Sequence, residues 1–345
     1  MLRHFGGVMR IAFTYIGTIV GAGFATGQEI LQFFTKYGSM ATFTIMLATI
    51  LFIWIGVKMM VMAYDMKAKS YEDLNRMLFG PRIGSIVSLF MMVILFGIST
   101  VMLAGAGSVF AEQLHMSYQT GLLLTLFLSY LVISRGIGAI MTVNTIIVPI
   151  MILFSGIIVW HTSSSPYAGN WMFLTSDYSW NQIWLAPLLY AAFNLSTAQA
   201  VLVPLGAAAP NKSVLYLGAG IGGGIIGLLL IGAHIALSSQ MPGVTQFEIP
   251  MAGLVTKLGY AVQIIYILVI YCEIFTTYIA DIYGLTLQLE QRSKIHNKFI
   301  LVLLLALSYI VSQIGFKVLL SALYPAFGMI SMVWLGFMVW KRRSM

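Results

Sequence analysis

Charge is what this sequence has least of. Only 8% of its 345 residues are Asp, Glu, Lys or Arg, against roughly 25% in an ordinary soluble domain. With 60% of the chain hydrophobic, a water-soluble globular fold is excluded and a protein that crosses a membrane many times is indicated. Cysteine is nearly missing as well. The single Cys272 lies inside an apolar run, so no intramolecular disulfide can form. H-E-x-x-H, C-x-x-C and Walker patterns do not occur, so no cofactor or catalytic metal is expected and an intramembrane enzyme is a distant reading. One glycine-rich stretch, "GAGIGGGIIG" (Gly218–Gly227), imitates a nucleotide loop. It follows no strand and sits within an apolar span, so it reads as close helix packing or a hinge.

Long hydrophobic runs are what the chain does have. Crossing about 30 Å of hydrocarbon takes roughly 20 residues of helix. Ten runs qualify, near 8–34, 40–63, 83–111, 117–134, 138–160, 182–205, 214–238, 254–288, 298–315 and 318–340. The expected fold is therefore an all-α membrane protein, a single transmembrane domain over 1–345. The first run has no small-residue processing site behind it, so it is expected to stay in the mature chain. The third and eighth runs are long enough to tilt, and the short, leucine-rich fourth and ninth suit the lipid-facing periphery.

The net charge of +8 follows topology rather than nucleic acid, because the basic residues fall in short connections between apolar runs. With a cytoplasmic N-terminus, one side receives Arg3, Arg10, Lys58, Lys67, Lys69, Arg76, Arg82, Arg135, Lys212, Arg292, Lys294, Lys298, Lys341, Arg342 and Arg343. The opposite side receives Lys36, Lys257 and Lys317. The excess obeys the positive-inside rule and puts both termini on the cytoplasmic side. Residues 161–181 lack Lys and Arg and carry Trp and Tyr, which suits an outer interfacial loop, with a short helix lying on the surface. Residues 64–84 read as a short amphipathic helix on the inner surface.

Span 1 is interrupted. "YIGTIVGAGFATGQEI" (Tyr15–Ile30) sets Gly17, Gly21, Gly23 and Gly27 among Thr26, Gln28 and Glu29. Each glycine weakens a helix by about 1 kcal/mol relative to alanine. Unwinding around Val20–Phe24 would free main-chain groups at mid-membrane, tolerable only where they line a cavity or bind something. The amides of Gly21, Ala22, Gly23 and Phe24 would then suit a carboxylate, and the carbonyls before them a cation. Small-xxx-small helix packing is the competing reading, but it does not call for Glu29. In span 6, "YAAFNLSTAQAVLVPLG" carries Asn194, Ser196, Thr197 and Gln199 at mid-depth. Paired interruptions in the first spans of two five-span halves point to a transporter site, and an odd number of spans inverts the second half.

These two stretches resemble the YkvI-type bacterial membrane proteins, which in turn resemble the amino acid–polyamine–cation superfamily with its LeuT-type fold. The resemblance implies a 5+5 inverted repeat (about 8–160 and 182–340), broken helices 1 and 6, and alternating access. It also implies a cation between carbonyls of span 1, here Gly17 and Val20, and hydroxyls of span 8, here Thr276 and Thr277. Glu273, one turn before those threonines, departs from that pattern and leaves Na⁺ and H⁺ both open as the coupling ion.

Glu29, Glu273 and Asp281 are the carboxylates within spans, and an ionisable group at such depth is a functional candidate by default. Glu29 is expected to gate the outer vestibule. Asp281, toward the cytoplasm, is expected to be an inner gate or a solvated residue. His234 in span 7 is read first as a satisfied helix histidine, and Asn144 and Thr145 in span 5 as interhelical hydrogen-bonding groups. The resulting expectation is a secondary transporter for a small organic solute, an amino acid or similar zwitterion. Its carboxylate would meet Gly21–Phe24, and its amine or side chain Asn194, Leu195, Ser196 and Thr197. A sensor or channel on the same fold is the alternative. No nucleic acid partner is expected, and the sequence does not fix an oligomeric state.

Overall fold

The computed structural model describes residues 2–341 apart from 69, 256–258 and 294, and within its helices omits the side chains of 2–4, 22, 137–142, 144, 145 and 291. Lys69, Lys257, Lys294, Arg342 and Arg343 therefore lie outside the described residues, as do the side chains of Arg3, Ala22, Asn144 and Thr145.

Helices account for nearly all of it. Span 1 is three pieces: α1 (Leu2–Ile19), α2 (Ala22–Thr26) and α3 (Gln28–Phe33). Next come α4 (Ala41–Met66), the short α5 (Tyr71–Phe79) and α6 (Pro81–Ser108), which runs into a π-helical turn at Val109–Gln113. α7 (Tyr118–Ile133) and α8 (Ile137–Ser163) lead to a one-turn surface helix, α9 (Asn170–Phe173), in the aromatic loop. The second half holds α10 (Trp180–Ala207), α11 (Lys212–Ser238), the short α12 (Pro250–Val255), α13 (Tyr260–Arg292), α14 (Asn297–Ser312) and α15 (Phe316–Trp340).

Seven of the described helices are long and apolar enough to cross a membrane. Phe5–Ile19, Tyr118–Ile133 and Asn297–Ser312 are shorter apolar helices, and they stand where the sequence puts spans 1, 4 and 9. Local signals start several of these elements. Ser70 and Asp73 form a capping box at α5, and Ser179 and Gln182 one at α10. The Asn211 side chain accepts from the Val214 amide at 3.0 Å to open α11.

The core is the contact of α4 with α10 and α11, of α1 with α11, and of α13 with α6 and α8. α7 and α14 stay at the rim. Leu123, Phe127 and Leu131 on α7, and Phe299, Val302 and Ile310 on α14, are exposed, as lipid-facing helices require.

Span 6 corrects an expectation: α10 is unbroken from Trp180 to Ala207. Its polar residues are satisfied without opening the ladder. Asn194 Nδ2 donates to Tyr190 O at 3.0 Å, Ser196 Oγ to Phe193 O at 2.9 Å, and Thr197 Oγ1 to Phe193 O at 3.1 Å. Such back-bonding keeps a polar side chain inside a helix. No glycine interrupts α10 before Gly206, and the alanines around Asn194 favour the helix.

Candidate functional site

Span 1 breaks at Val20–Gly21, where Gly21 adopts an extended conformation (φ −107°, ψ −162°). A continuous helix would give the Gly21 amide to Gly17 O. Instead it donates to Ile19 O at 3.1 Å, while Ala25 N–H returns to Gly21 O at 2.9 Å. The Gly17 carbonyl thus loses its ladder partner at the depth where the sequence predicts an unwound segment. The break is narrower than Val20–Phe24, because Ala22–Thr26 re-forms a short helix. A second interruption follows at Gly27 (φ 85°), a left-handed conformation that glycine adopts without strain. A Cβ there would stand 2.6 Å from Met251 Cγ, so α12 lies directly against this joint.

The break faces α13. A Cβ on Gly21 would lie 3.0 Å from Thr277 Oγ1, so the unwound backbone and Thr277 of span 8 are in contact. Thr276 and Thr277 each donate to the Glu273 carbonyl at 3.0 Å. That leaves their oxygen lone pairs free to accept or to ligate a cation. Glu273 is 1% exposed and its Oε1 has no hydrogen-bond partner. Tyr266, two turns earlier on the same face of the helix, donates to Ala25 O at 3.4 Å. Gly17 itself packs tightly on Val148 of α8. The structure thus brings Gly21 against Thr277 of α13 and turns Gly17 toward α8.

Two gate expectations change. Glu29 does not look into an outer vestibule: it is 3% exposed and folds back over Gly23, where its carboxylate takes the space a Cβ would need. The protein's own negative group therefore occupies the place the sequence suggests for the solute's carboxylate. Its neighbours are the phenols of Tyr190 and Tyr324. Even so, Glu29 Oε2 and Tyr190 Oη have no partner at hydrogen-bond distance. Asp281 is half-buried, and its Oδ2 is buried and unpartnered, so it is not simply a solvated inner residue.

The span 6 residues are drawn elsewhere. Ser196 Oγ pairs with Ser331 Oγ of α15 at 2.7 Å, and Leu195 is buried in the packing. Asn194 and Thr197 bond within α10. His234 Nδ1 is shared between Thr35 and Ser238, both at 3.2 Å, while its Nε2 is buried without a hydrogen-bond partner, so the histidine is only half satisfied.

Tyr190, Tyr324 and Gln199 are the residues the sequence reading passed over as site groups. Gln199 is 1% exposed with both amide atoms unpartnered. The available signal for Tyr324 is "YPAFG" (Tyr324–Gly328), a tyrosine beside a proline and a glycine inside an apolar span.

No protein-family model matches the chain. It is 40% identical over 340 residues to the uncharacterized membrane protein YkvI of Bacillus subtilis (strain 168), covering 98% of this chain and 96% of that protein. The uncharacterized protein YyaD of the same organism is 26% identical over 318 residues, 92% of this chain and 91% of that one. Among solved structures, MhsT in complex with L-phenylalanine superposes with a TM-score of 0.67 at 16% identity, over 91% of this chain and 79% of MhsT. The nucleobase-cation-symport-1 family transporter Mhp1, closed with bromovinylhydantoin bound, gives 0.66 at 14% identity, over 94% and 74%. Both are LeuT-fold transporters, and this all-helical protein shares their fold. By its near full-length identity, the chain belongs to the YkvI family of membrane proteins.

Proposed function

We propose that this protein is a secondary active transporter of a small, amine-bearing organic solute, an amino acid or related zwitterion, working by alternating access and driven by Na⁺ or H⁺. The observation that carries the reading is the break at Val20–Gly21 against Thr277 of α13. Unsatisfied main-chain groups deep in an apolar bundle have no structural use unless something binds them. The reading takes the seven long and three shorter apolar helices as ten spans in a 5+5 inverted repeat, with both termini in the cytoplasm of the bacterial inner membrane. It also fits the amino acid–polyamine–cation superfamily suggested by the sequence.

In this scheme the coupling ion sits at Gly17, Val20, Thr276 and Thr277, with Glu273 as neighbouring carboxylate. Carbonyl and hydroxyl oxygens are ligands for a hard cation such as Na⁺. If H⁺ is the ion, Glu273 is its carrier. The solute lies beside it, against the backbone at Gly21, Ala22 and Phe24, with the Glu29 carboxylate standing over Gly23. α10 contributes at Asn194–Thr197 as a continuous wall. Two LeuT-fold transporters that bind small organic molecules share the architecture, which supports a carrier over an enzyme.

Uptake into proteoliposomes under an imposed Na⁺ or H⁺ gradient tests the reading. Gradient-dependent accumulation of an amino acid or amine is expected. Binding without accumulation would make the protein a sensor, and a passive ion current would make it a channel.

A further inference from the structure

The outer ends of four helices meet around one cavity. Span 1 closes with α3 at Phe33 and α4 opens at Ala41, while α8 closes at Ser163 and α10 opens at Trp180. The turn Thr35–Met40 joins the first pair, and the aromatic loop with α9 joins the second. Ser39 N–H donates to Leu174 O at 2.9 Å and seats the loop on the turn. Gly38 permits that approach: its φ is 64°, and a Cβ there would collide with the Leu174 carbonyl. Between turn and loop lies a cavity of about 520 Å³, whose lining includes Tyr37, Ser39, Phe173, Thr175, Tyr178 and Trp180.

The Lys36 ammonium stands over two of these rings, 5.1 Å from the centroid of Tyr37 and 5.3 Å from that of Tyr178. Every acidic side chain of the protein is among the described residues, and among these none forms an ion pair with Lys36. Phe173 and Trp180 at the rim are 79% and 66% exposed.

We propose that this cavity binds the headgroup of an anionic phospholipid of the outer leaflet, with its phosphate on the Lys36 ammonium and its first acyl carbons along Phe173 and Trp180. The site stands apart from the transporter reading. Two observations choose a lipid. The cavity sits where helices leave the membrane, in a loop whose Trp and Tyr mark the headgroup level, so its exposed rings already face lipid. Ring faces attract an ammonium but accept no hydrogen bond as strong as an anion's, and a phosphate supplies both the charge and the oxygens that Lys36 lacks. Ser39 and Thr175 line the same space and offer hydroxyls to the headgroup. A zwitterionic headgroup fits less well, because its own cation would be brought close to Lys36.

The test uses the full-length protein in a non-ionic detergent and native mass spectrometry, which counts the molecules retained by the intact chain. The probes are dioctanoyl-phosphatidylglycerol, dioctanoyl-phosphatidylcholine and glycerol 3-phosphate, which has the phosphate without the chains. Phosphatidylglycerol is expected to bind about tenfold more tightly than phosphatidylcholine, and glycerol 3-phosphate to be lost. Lys36→Gln should weaken phosphatidylglycerol by about tenfold, the loss of one charge-assisted contact, and leave phosphatidylcholine unchanged. Lys317→Gln removes another lysine of the outer face, one that donates to Thr245 O, and should change neither. Size-exclusion profiles check folding. Trp180→Ala, at an exposed position, should weaken phosphatidylglycerol several-fold and decides the case if the Lys36 variant aggregates. Equal retention of the two lipids, unchanged affinity in the folded Lys36 or Trp180 variant, or an equal loss in Lys317→Gln would each overturn the site. Glycerol 3-phosphate bound as tightly as phosphatidylglycerol would overturn it too, by showing an anion site that needs no lipid.

Discussion

Gly21 and Thr277 touch: a methyl group on the glycine would stand 3.0 Å from the threonine hydroxyl and 3.4 Å from its methyl. One residue belongs to the unwound turn of span 1, the other to a continuous helix in the second half of the chain. The function proposed for this protein turns on that contact, and it is directly testable. Gly21→Ala must shift Thr277 by a few tenths of an ångström, and Gly21→Val by more. Both should fold, because the rest of the core is untouched. Accumulation is expected to fall about tenfold for alanine and to vanish for valine, an effect of roughly 1.4 kcal/mol or more on the bound state. Full uptake by the valine variant would separate the break from transport.

Glu273 and Thr277 should act as a pair. Glu273→Gln keeps the shape of a side chain that is buried with an unpartnered oxygen, and Thr277→Ala removes one hydroxyl. Thermal midpoints should move little. The gradient dependence of uptake should be lost in both. Under H⁺ coupling the Glu273 variant alone should still exchange solute without a gradient, and under Na⁺ coupling the Thr277 variant should lose sodium dependence first. Coupled uptake in both variants would remove the ion site from α13.

Lys58 is a structural clamp. Buried in α4, its ammonium donates to the carbonyls of Met338 and Val339 at 2.5 and 3.1 Å, the last turn of α15. A cation on the C-terminal carbonyls of a helix satisfies acceptors that have no partner of their own. Lys58→Met should therefore destabilise the protein by about 1.5–3 kcal/mol and expose the last turn of α15 to hydrogen exchange. An unshifted melting curve with unchanged exchange there would show that the clamp carries no weight.

The cytoplasmic face carries a weaker latch. Glu72 of α5 bonds Arg76 at 2.8 Å and Arg292, the last residue of α13, at 3.0 Å. Burial pushes the Glu72 carboxyl up, but Arg292 and Arg76 outweigh it and hold it below the usual carboxylate range. A carboxyl lowered by folding stabilises above its ordinary pKa of about 4.3. That contribution is lost only as pH falls through the lower folded value. The pair is worth about 0.2–1 kcal/mol. In a Cys272→Ser background, a cysteine at Gln288 should be labelled from the cytoplasm faster in Glu72→Gln. Relative to a free thiol labelled at the same pH, the rate in the Glu72 parent should stay flat down to about pH 5 and rise only below it. Reversing the charges (Glu72→Arg with Arg292→Glu) should restore slow labelling, and failure to restore it would mean α5 is held by Asn75, which bonds Ser88 and Trp334.

Much of this was legible along the chain. Span limits followed from apolar runs, α5 from its Ser70–Asp73 cap, the surface helix from the aromatic loop, and the break from glycines crowded into span 1. The same reasoning failed at span 6, because polarity and chain breaking are different signals. Asn194, Ser196 and Thr197 find carbonyls on their own helix, and without a glycine beside them nothing lowers the cost of opening the ladder. Glu29 was found but misplaced. A sequence gives the depth of a residue on its helix, not the direction in which a flexible carboxylate folds back.

By itself, then, the sequence determined that this protein lives in a membrane, where most of its apolar helices lie, and where span 1 must come undone. These are consequences of local composition: apolar length against bilayer thickness, and glycine against helix propensity. Only the tertiary structure decided which groups share a site. Gly21 and Thr277 are 256 residues apart, and no periodicity links them. They meet because α2 packs against α13, and that contact is a property of the packing alone.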